Sequence, residues 1–290
     1  MNNLNIFLLL MIPGTVLLGV NDIQWKHHLN LELDEQVVLF LPMLIAGLGL
    51  FIVSLIVGFP EIKSGFWAAF ATTGILNVLA QSALIYAFKH GEASEIAPLR
   101  LLTPPLVVIT GYLFLGEKIS NAGLAGIIIA MIGLGLLLNF RFTTSGSSLK
   151  SVLFGIFAAV VFSVSFVFDK KSVLLSSATF FSGLIYVFVS VGILIGSLFY
   201  KRNFYNKIIF AIRTKAAGLI YIAITSGLGY YLTVAALKFS EAAYASSLKR
   251  LQAFWTILLS GRFLKEKGLV RKFFAAAIML AGIVISLVWK

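Results

Sequence analysis

The chain has 290 residues, of which 60% are hydrophobic and only 12% are charged, and its mean hydropathy is +1.01. A soluble domain is about 25% charged, so this composition excludes a cytosolic enzyme, a disordered tail and a secreted mini-protein. With no cysteine, a disulfide framework, a thiolate nucleophile and a zinc-thiolate site are also excluded. The formal net charge of +12 indicates basic loops that face an anionic membrane surface rather than a nucleic-acid partner.

A helix that crosses a membrane needs about 20 mostly apolar residues. Charge-free runs predict eight spans, at residues 1–21, 36–60, 64–88, 119–140, 151–168, 172–200, 216–237 and 273–289. Two further apolar segments, 93–116 and 242–264, contain charges, and counting them gives ten spans. The sequence therefore predicts an all-α membrane protein with ten transmembrane helices. The first run has no basic segment before it, which favours a retained helix over a cleaved signal.

The two halves of the sequence repeat each other. Residues 87–118 align with residues 236–267 at a constant offset of 149 and without a gap, and ten of these 32 positions are identical. A small polar linker at 143–148 separates two domains, 1–142 and 149–290, which hold five predicted spans each. Because five is odd, the halves insert in opposite senses. Such a 5+5 inverted-topology repeat is typical of secondary transporters, whose binding site lies near the midplane where the halves meet.

A family resemblance rests on several short motifs. They are Glu92-Ala93, Leu99, Pro104, Leu115-Gly116-Glu117, Gly126 and Gly133 in the first half, and Glu241-Ala242, Leu248, Lys265-Glu266 and Gly282 in the second. This pattern resembles the EamA domain of the drug/metabolite transporter superfamily, although the second half lacks the proline and the glycine before Glu266. The resemblance covers the whole chain and implies a transporter with the ten-span arrangement. It does not name a substrate, because members of this superfamily carry many.

The two predicted spans that contain charges are repeat equivalents, and Arg100 maps onto Lys249 by the same offset. A charge deep in a bilayer costs about 2.5–3.5 kcal/mol on insertion scales. Both residues lie seven positions inside their spans, about 10 Å deep, and they enter from opposite faces because the halves are inverted. We expect them to bracket one cavity and to attract an anion. The alternative is that the aliphatic parts of both side chains extend toward the membrane surface and place the charged groups among the lipid headgroups.

A narrower resemblance concerns the plastid sugar-phosphate translocators of the same superfamily. They are known for a basic residue four positions before the proline of the fourth helix and for a Lys-Arg pair on the ninth. Here Arg100 precedes Pro104 by four, and Lys249 and Arg250 form the pair. The resemblance implies that these three side chains hold a phosphate group. Gln252 and Thr256 extend the face of Lys249 along the ninth span, at helical spacing.

Other polar residues inside predicted spans favour a polar cavity wall. Thr73, Asn77 and Gln81 recur every four residues on the third span, and the offset carries Gln81 to Tyr230. On the sixth span, Ser165 and Asp169 also stand four apart, near its end. The alternative for each is a hydrogen bond between packed helices. Candidate proton carriers are Asp22, Glu92, Glu95 and Glu241, for which a solvated charge or a helix N-cap is the alternative.

The membrane orientation is ambiguous. Fourteen lysines and arginines fall in loops on one side of the predicted spans and six on the other, which favours termini outside the cell. The superfamily resemblance instead implies that both termini are cytoplasmic. The direction of transport is open for the same reason.

These observations predict a multi-pass protein of the bacterial inner membrane that moves a small polar metabolite by alternating access. An anionic substrate with a phosphate or carboxylate group is favoured, with a proton or a counter-substrate as coupling partner, and no cofactor, metal or nucleic acid is expected. The predicted substrate-binding residues are Arg100, Lys249, Arg250, Asn77, Gln81, Tyr230, Gln252 and Thr256. The alternative within transport is a proton-coupled exporter of amino acids or of cationic or aromatic compounds. An intramembrane enzyme is disfavoured, because the three histidines lie near span ends and lack HExxH spacing.

Overall fold

The computed structural model describes residues 2–29, 33–90, 96–137, 149–200, 203–264 and 269–288. Within these ranges the chain is helical and contains no β-strand, as the apolar runs predict. The elements in chain order are α1 (Asn3–Leu29), α2 (Glu35–Val57), α3 (Phe66–His90), a 3₁₀ segment (Ala97–Leu102), α4 (Thr103–Leu115), α5 (Asn121–Leu137), α6 (Leu149–Leu174), α7 (Ala178–Tyr200), α8 (Phe204–Ala236), α9 (Ala242–Lys249), α10 (Leu251–Leu264) and α11 (Leu269–Val288). The residues predicted as the interdomain linker lie outside the described ranges.

Several of these helices are long and apolar enough to cross a bilayer. In the described part of the chain they are α1, α2, α6, α7 and α8, and shorter apolar helices occupy residues 99–115, 121–136 and 277–288. Large apolar side chains such as Ile56, Val57 and Phe199 are about four-fifths exposed, as expected of surfaces that face lipid. The prediction of an all-α membrane protein is confirmed, and the count of ten spans stays a prediction.

The most extensive helix contacts join one half of the chain to the other. They pair α5 with α11, α3 with α6, α2 with α7 and α1 with α8. Exchanging each helix for its repeat equivalent leaves this set of pairs unchanged: α1–α8 becomes α6–α3, and α2–α7 and α5–α11 map onto themselves. An inverted repeat predicts this pattern. Because the halves interleave, a cavity between them is walled by both.

Glycines allow these cross-half helices to approach closely. A Cβ atom added at Gly126 in α5 would lie 2.7 Å from the carbonyl oxygen of Gly282 and 2.8 Å from Cα of Ser286, both in α11. A Cβ atom at Gly47 in α2 would likewise lie 2.8 Å from the backbone nitrogen of Val187 in α7. Small residues at such crossings let the backbones touch, which supplies the van der Waals contact that holds helices together in lipid.

Gly126→Ala is therefore expected to destabilise the protein. The added methyl group forces α5 and α11 apart, and overpacking of this kind costs about 1–3 kcal/mol. The matched control is Gly49→Ala in α2, where an added Cβ atom meets nothing within 4 Å. Both variants gain the same helix propensity, so the difference between their melting temperatures in detergent isolates the clash. Equal melting temperatures would rule out a tight α5–α11 contact at this position.

The fourth and ninth predicted spans are broken rather than continuous. The 3₁₀ segment ends at Leu102 and α4 begins at Thr103. Pro104 and Pro105, in the first turn of α4, have no backbone N–H to donate. In the second half, α9 ends at Lys249 and α10 begins at Leu251. Arg250 connects them by tight turns: its N–H donates to Ser247 and its carbonyl accepts from Ala253, each at 3.0 Å. The offset of 149 places both breaks beside the predicted cations.

Three helices differ from their predicted bounds in ways that matter for the site. α1 continues to Leu29, so Asp22 lies seven residues inside the helix rather than near its end. α6 continues to Leu174, which places Asp169 well within it. α8 has a kink at Lys215, where φ is −136° and ψ is 23°, and the predicted span 216–237 begins directly after this residue. Hydropathy alone ends a span at its first charge, whereas the helices here carry buried charges.

A left-handed glycine positions one charged side chain at the end of α4. Gly116 has a φ of 68° and donates its N–H to Tyr112 at 3.1 Å. The next residue, Glu117, donates its own N–H back to Gly111 at 3.2 Å. The Gly116–Tyr112 bond is the 5→1 bond of an αL cap, which requires a positive φ at the glycine. It folds Glu117 back against the bundle instead of into solvent.

Candidate functional site

A cavity of about 280 Å³ lies between the two halves, with space for roughly nine waters at about 30 Å³ each. Seven of the eight predicted substrate-binding residues line it: Asn77, Gln81, Arg100, Tyr230, Lys249, Arg250 and Gln252. Thr256 is not among the described lining residues. A smaller cavity of about 120 Å³ shares Arg100, Lys249, Arg250 and Gln252 with the first and adds Asp22. The polar positions of helices in both halves therefore meet at one place.

The cavity wall extends toward both ends of the bundle. We call the end where α1 stops and α2 starts the Asp34 end, because Asp34 caps α2 there by accepting a hydrogen bond from the Gln36 N–H at 3.0 Å. Val38 and Leu39 line the cavity within about 6 Å of the start of α2, at 1.5 Å per residue. At the opposite end the wall includes Asp169, five residues before α6 stops.

Three cations converge on the cavity from two elements. Arg100 comes from the 3₁₀ segment of the first half, and Lys249 and Arg250 come from the break between α9 and α10. The Lys249 ammonium lies 5.5 Å from the ring centroids of both Tyr230 and Phe166, close enough for cation–π attraction. Arg100 and Lys249, which the sequence predicts to bracket one cavity, both line its wall.

Arg250 carries a buried hydrogen-bond donor. Its Nε atom is buried and has no hydrogen-bond partner among the described residues. A guanidinium carries five N–H donors in a fixed fork and cannot lose its charge in a protein. A buried donor without a partner costs about 1–3 kcal/mol, and more when it is charged. The site is therefore short of an acceptor at Arg250.

Asp169 occupies the centre of a hydrogen-bond network between α3, α6 and α8. Its Oδ1 atom accepts from the Thr73 hydroxyl, and its Oδ2 atom accepts from the Tyr230 hydroxyl at 3.4 Å. The Thr73 hydroxyl also lies 2.8 Å from the Ser165 hydroxyl, and the amide of Asn77 donates to Ser165 at 2.7 Å. Sequence reasoning paired Ser165 with Asp169 but did not select Asp169 as a charge carrier. Its neighbours come from spans about 60 to 100 positions away.

The second carboxylate, Asp22, is held by α10. Its Oδ2 atom accepts from the Gln252 amide at 2.8 Å and from the Thr256 hydroxyl at 3.0 Å. Arg100 also attracts this carboxylate electrostatically. Gln252 and Thr256, predicted as substrate ligands, thus bind Asp22 in this structure. Each half contributes one carboxylate and one cation that attract each other, namely Asp22 with Arg100 and Asp169 with Lys249.

An aromatic pair forms part of the cavity wall. The rings of Tyr186 and Tyr230 stack with centroids 4.6 Å apart and an angle of 23° between their planes. The Tyr186 hydroxyl donates to the Ser226 carbonyl at 3.3 Å, which fixes the pair against α8. Sequence reasoning missed Tyr186, since a single tyrosine in an apolar run carries no periodic signal. The pair offers a flat apolar surface beside Lys249.

A buried ion pair lies between the cavity and the end of the bundle opposite to Asp34. The Glu117 carboxylate binds the Lys170 ammonium, and it also accepts from the Ala242 N–H at the start of α9 at 2.8 Å. Lys170 donates to the Ser240 carbonyl at 2.6 Å. We call these four residues the Glu117 cluster. Because Lys170 follows Asp169 in α6, the cluster lies directly beside the cavity wall and joins the two halves.

Of the three predicted proton carriers other than Asp22, the structure describes one. Glu241 is the N-cap residue of α9, and its side chain makes no capping hydrogen bond to that helix. Glu92 and Glu95 lie outside the described residues. Among the residues that the structure does describe, no group of three or more His, Cys, Asp or Glu side chains is arranged to hold a metal ion.

An all-α membrane fold with interleaved halves and a polar cavity between them is the architecture of a membrane transporter. Residues 5–139 and 149–288 each match the EamA-like transporter family, and the chain belongs to this family.

Similar proteins include two bacterial relatives. One, described as an uncharacterized transporter in the cobO 3' region of Sinorhizobium sp, is 37% identical over 78 residues, which cover 27% of this chain and 54% of the relative. The other, an uncharacterized transporter of Clostridium kluyveri, is 27% identical over 184 residues, which cover 61% of this chain and 58% of the relative. The chain thus spans a little over half the length of each.

A solved structure, described only as the crystal structure of a protein, superposes with a TM-score of 0.77 at 15% identity. The match covers 97% of this chain and 96% of that chain. At this identity the likeness shows the fold alone.

Proposed function

We propose that this protein is a secondary transporter that moves a small anionic metabolite, bearing a phosphate or carboxylate group, across the bacterial inner membrane by alternating access. The observation that carries the proposal is the convergence of Arg100, Lys249 and Arg250 on one cavity, where the buried Nε atom of Arg250 has no hydrogen-bond partner among the described residues. An oxyanion of the substrate in this cavity meets the three positive charges that line its wall. Arginine suits this role because its planar fork binds both oxygens of a carboxylate or phosphate.

The charges around the cavity support an anion over a cation. Among the described residues that line the two cavities, three are cationic and two are anionic. Asp22 attracts Arg100 and Asp169 attracts Lys249, so among the described cavity-lining residues Arg250 is the cation that is paired with neither carboxylate. A charge inside a membrane protein is stabilised by pairing, and an anionic substrate completes this set.

The broken helices support alternating access. Discontinuous helices expose backbone groups and side chains at the midplane, where transporters with inverted repeats bind their cargo. The two breaks occur at repeat-equivalent positions, so the half that opens toward one face has a counterpart that opens toward the other. Both relatives are bacterial, which supports the inner membrane as the location.

Arg250→Gln is expected to lower anion uptake by about 10- to 150-fold, because a hydrogen bond to a charged group contributes about 1.5–3 kcal/mol. The measurement is uptake into proteoliposomes of radiolabelled gluconate, lactate, glycerol 3-phosphate and inorganic phosphate. The matched control is Arg213→Gln, an exposed arginine of α8 outside the cavity.

Either of two results would contradict the anion proposal. One is an unchanged rate in the Arg250→Gln variant. The other is wild-type protein that takes up none of the four anions but exports phenylalanine or ethidium, which would favour the alternative exporter function.

A further inference from the structure

We infer that Asp169 is the group through which this transporter couples anion movement to a proton, because the carboxylate and the substrate anion compete for the ammonium of Lys249. The inference rests on the proposed anion function. Asp169 lines the larger cavity together with Lys249, and the two side chains attract each other across it. A substrate anion that binds Lys249 removes this counter-ion from the carboxylate. The carboxylate then takes a proton from the cavity water.

The surroundings of Asp169 tolerate both charge states. Thr73 and Tyr230 donate to the ionised carboxylate through hydroxyl groups. A hydroxyl is a donor and an acceptor, so the Thr73 hydroxyl can accept from a protonated Asp169 and donate to Ser165 instead. Neither state leaves a buried hydroxyl hydrogen without an acceptor. Protonation of Asp169 therefore costs no hydrogen bond within this network, and its main cost is the lost attraction between the carboxylate and Lys249.

The other charged groups near Asp169 leave Lys249 as the partner that controls it. From α7 and α8 the titratable neighbours are Tyr186 and Tyr230, and on α6 itself Lys170 is bound to Glu117. The guanidiniums of Arg100 and Arg250 repel the Lys249 ammonium. Among the described residues, Lys249 is the cation that attracts the Asp169 carboxylate.

Asp22 lacks the same freedom. Its carboxylate is held by two side chains of α10, the Gln252 amide and the Thr256 hydroxyl, in addition to the attraction of Arg100. An amide N–H cannot accept, so protonation of the Oδ2 atom requires the Gln252 amide either to leave or to turn over and present its oxygen. Asp22 also lines only the smaller cavity. The substrate that occupies the larger cavity thus meets Asp169 first.

The proton balance of one cycle follows from this competition. An anion with one negative charge enters the cavity and binds Lys249, and one proton moves from water to an oxygen of Asp169. The substrate leaves on the other side, Asp169 returns its proton to water there, and the carboxylate pairs with Lys249 again. One anion and one proton cross together, so no net charge moves.

The test measures gluconate accumulation in proteoliposomes under a pH gradient that is acidic on the side of uptake, since the gluconate carboxylate stays ionised near neutral pH. One coupled proton predicts about tenfold accumulation of gluconate for each pH unit of gradient. Pyranine trapped in the lumen is expected to report acidification that follows gluconate entry. Asp169→Asn is expected to abolish both effects while gluconate still exchanges at equal pH. Glu61→Gln, an exposed loop carboxylate, is the matched control.

The outcomes separate the two proposals. If none of the four anions named above enters vesicles with wild-type protein, the anion function falls and the coupling with it. If gluconate enters but does not accumulate above its equilibrium level, the anion function stands and the proton coupling is wrong. If another of the four anions enters faster than gluconate, that anion is used in this test instead. If Asp22→Asn rather than Asp169→Asn abolishes accumulation, the role belongs to Asp22. The wild-type pyranine signal does not depend on whether Asp169→Asn folds.

Discussion

Lys249→Met is expected to reduce anion uptake to below about one hundredth of the wild-type rate and to lower the free energy of unfolding by about 3–5 kcal/mol. Methionine preserves most of the stem but removes the charge. The variant loses one anion ligand and also leaves Asp169 buried, 6% exposed, without its opposing cation. An unpaired buried charge is among the most destabilising changes that a single substitution can make.

A double-mutant cycle distinguishes the two effects of Lys249→Met. Adding Asp169→Asn removes the unpaired carboxylate, so the double variant is expected to recover most of the lost stability and none of the uptake. Melting temperatures in detergent and uptake rates in proteoliposomes are measured on the two single variants and the double variant. Lys238→Met, an exposed lysine at the end of α8, serves as the control. A double variant that transports would show that Lys249 does not bind the anion.

Glu117→Gln is expected to open the cavity at the end that the Glu117 cluster closes. The carboxylate binds Lys170 and the start of α9, and these contacts join the two halves. Both side chains of the ion pair are only 11% exposed, so breaking the pair costs about 3–5 kcal/mol in the state described here. A cost of that size shifts the balance between the two cavity openings by about 150- to 5,000-fold.

Labelling of a single thiol checks this shift. The chain contains no cysteine, so Phe162→Cys on the cavity wall introduces one reporter with no background. With the Glu117 cluster intact, a membrane-impermeant maleimide is expected to reach the reporter from one face of the membrane only. After Glu117→Gln, it is expected to reach the reporter from both faces. Glu61→Gln is the control, and single-sided labelling of Glu117→Gln at the unchanged rate would show that another contact closes this end.

Hydropathy predicted most of the helices but not where they break. Pro104 and Pro105 indicate the first break, since they cannot donate backbone hydrogen bonds. The second break, at Arg250, is marked by neither a proline nor a glycine. It consists of backbone hydrogen bonds between residues three positions apart, which join Arg250 to Ser247 and to Ala253. The sequence offered one indirect sign, which was that a cation stood at the repeat-equivalent position of Arg100.

The candidate site was predictable where side chains repeat within one helix and unpredictable where partners come from several helices. Asn77 and Tyr230 follow from helical spacing and the 149-residue offset. Asp169 and Glu117 were not selected as functional charges, because each stands at the edge of an apolar run. What buries them is the arrival of Tyr230, Lys249 and Lys170 from distant parts of the chain, which pattern analysis of one segment cannot supply.

The interleaved helix pairs also bear on synthesis. Since α1, α2, α3 and α5 find their main partners in α6, α7, α8 and α11, the first five predicted spans leave the ribosome before those partners exist. At about 5–20 residues per second, the remaining 142 residues take about 7–28 s to translate. During that interval the glycine-containing helix surfaces lack their packing partners, and Asp22 and Arg100 have each other but not Gln252 and Thr256 of α10. The first half of the nascent chain must therefore be protected from non-native contacts until the second half has been synthesised.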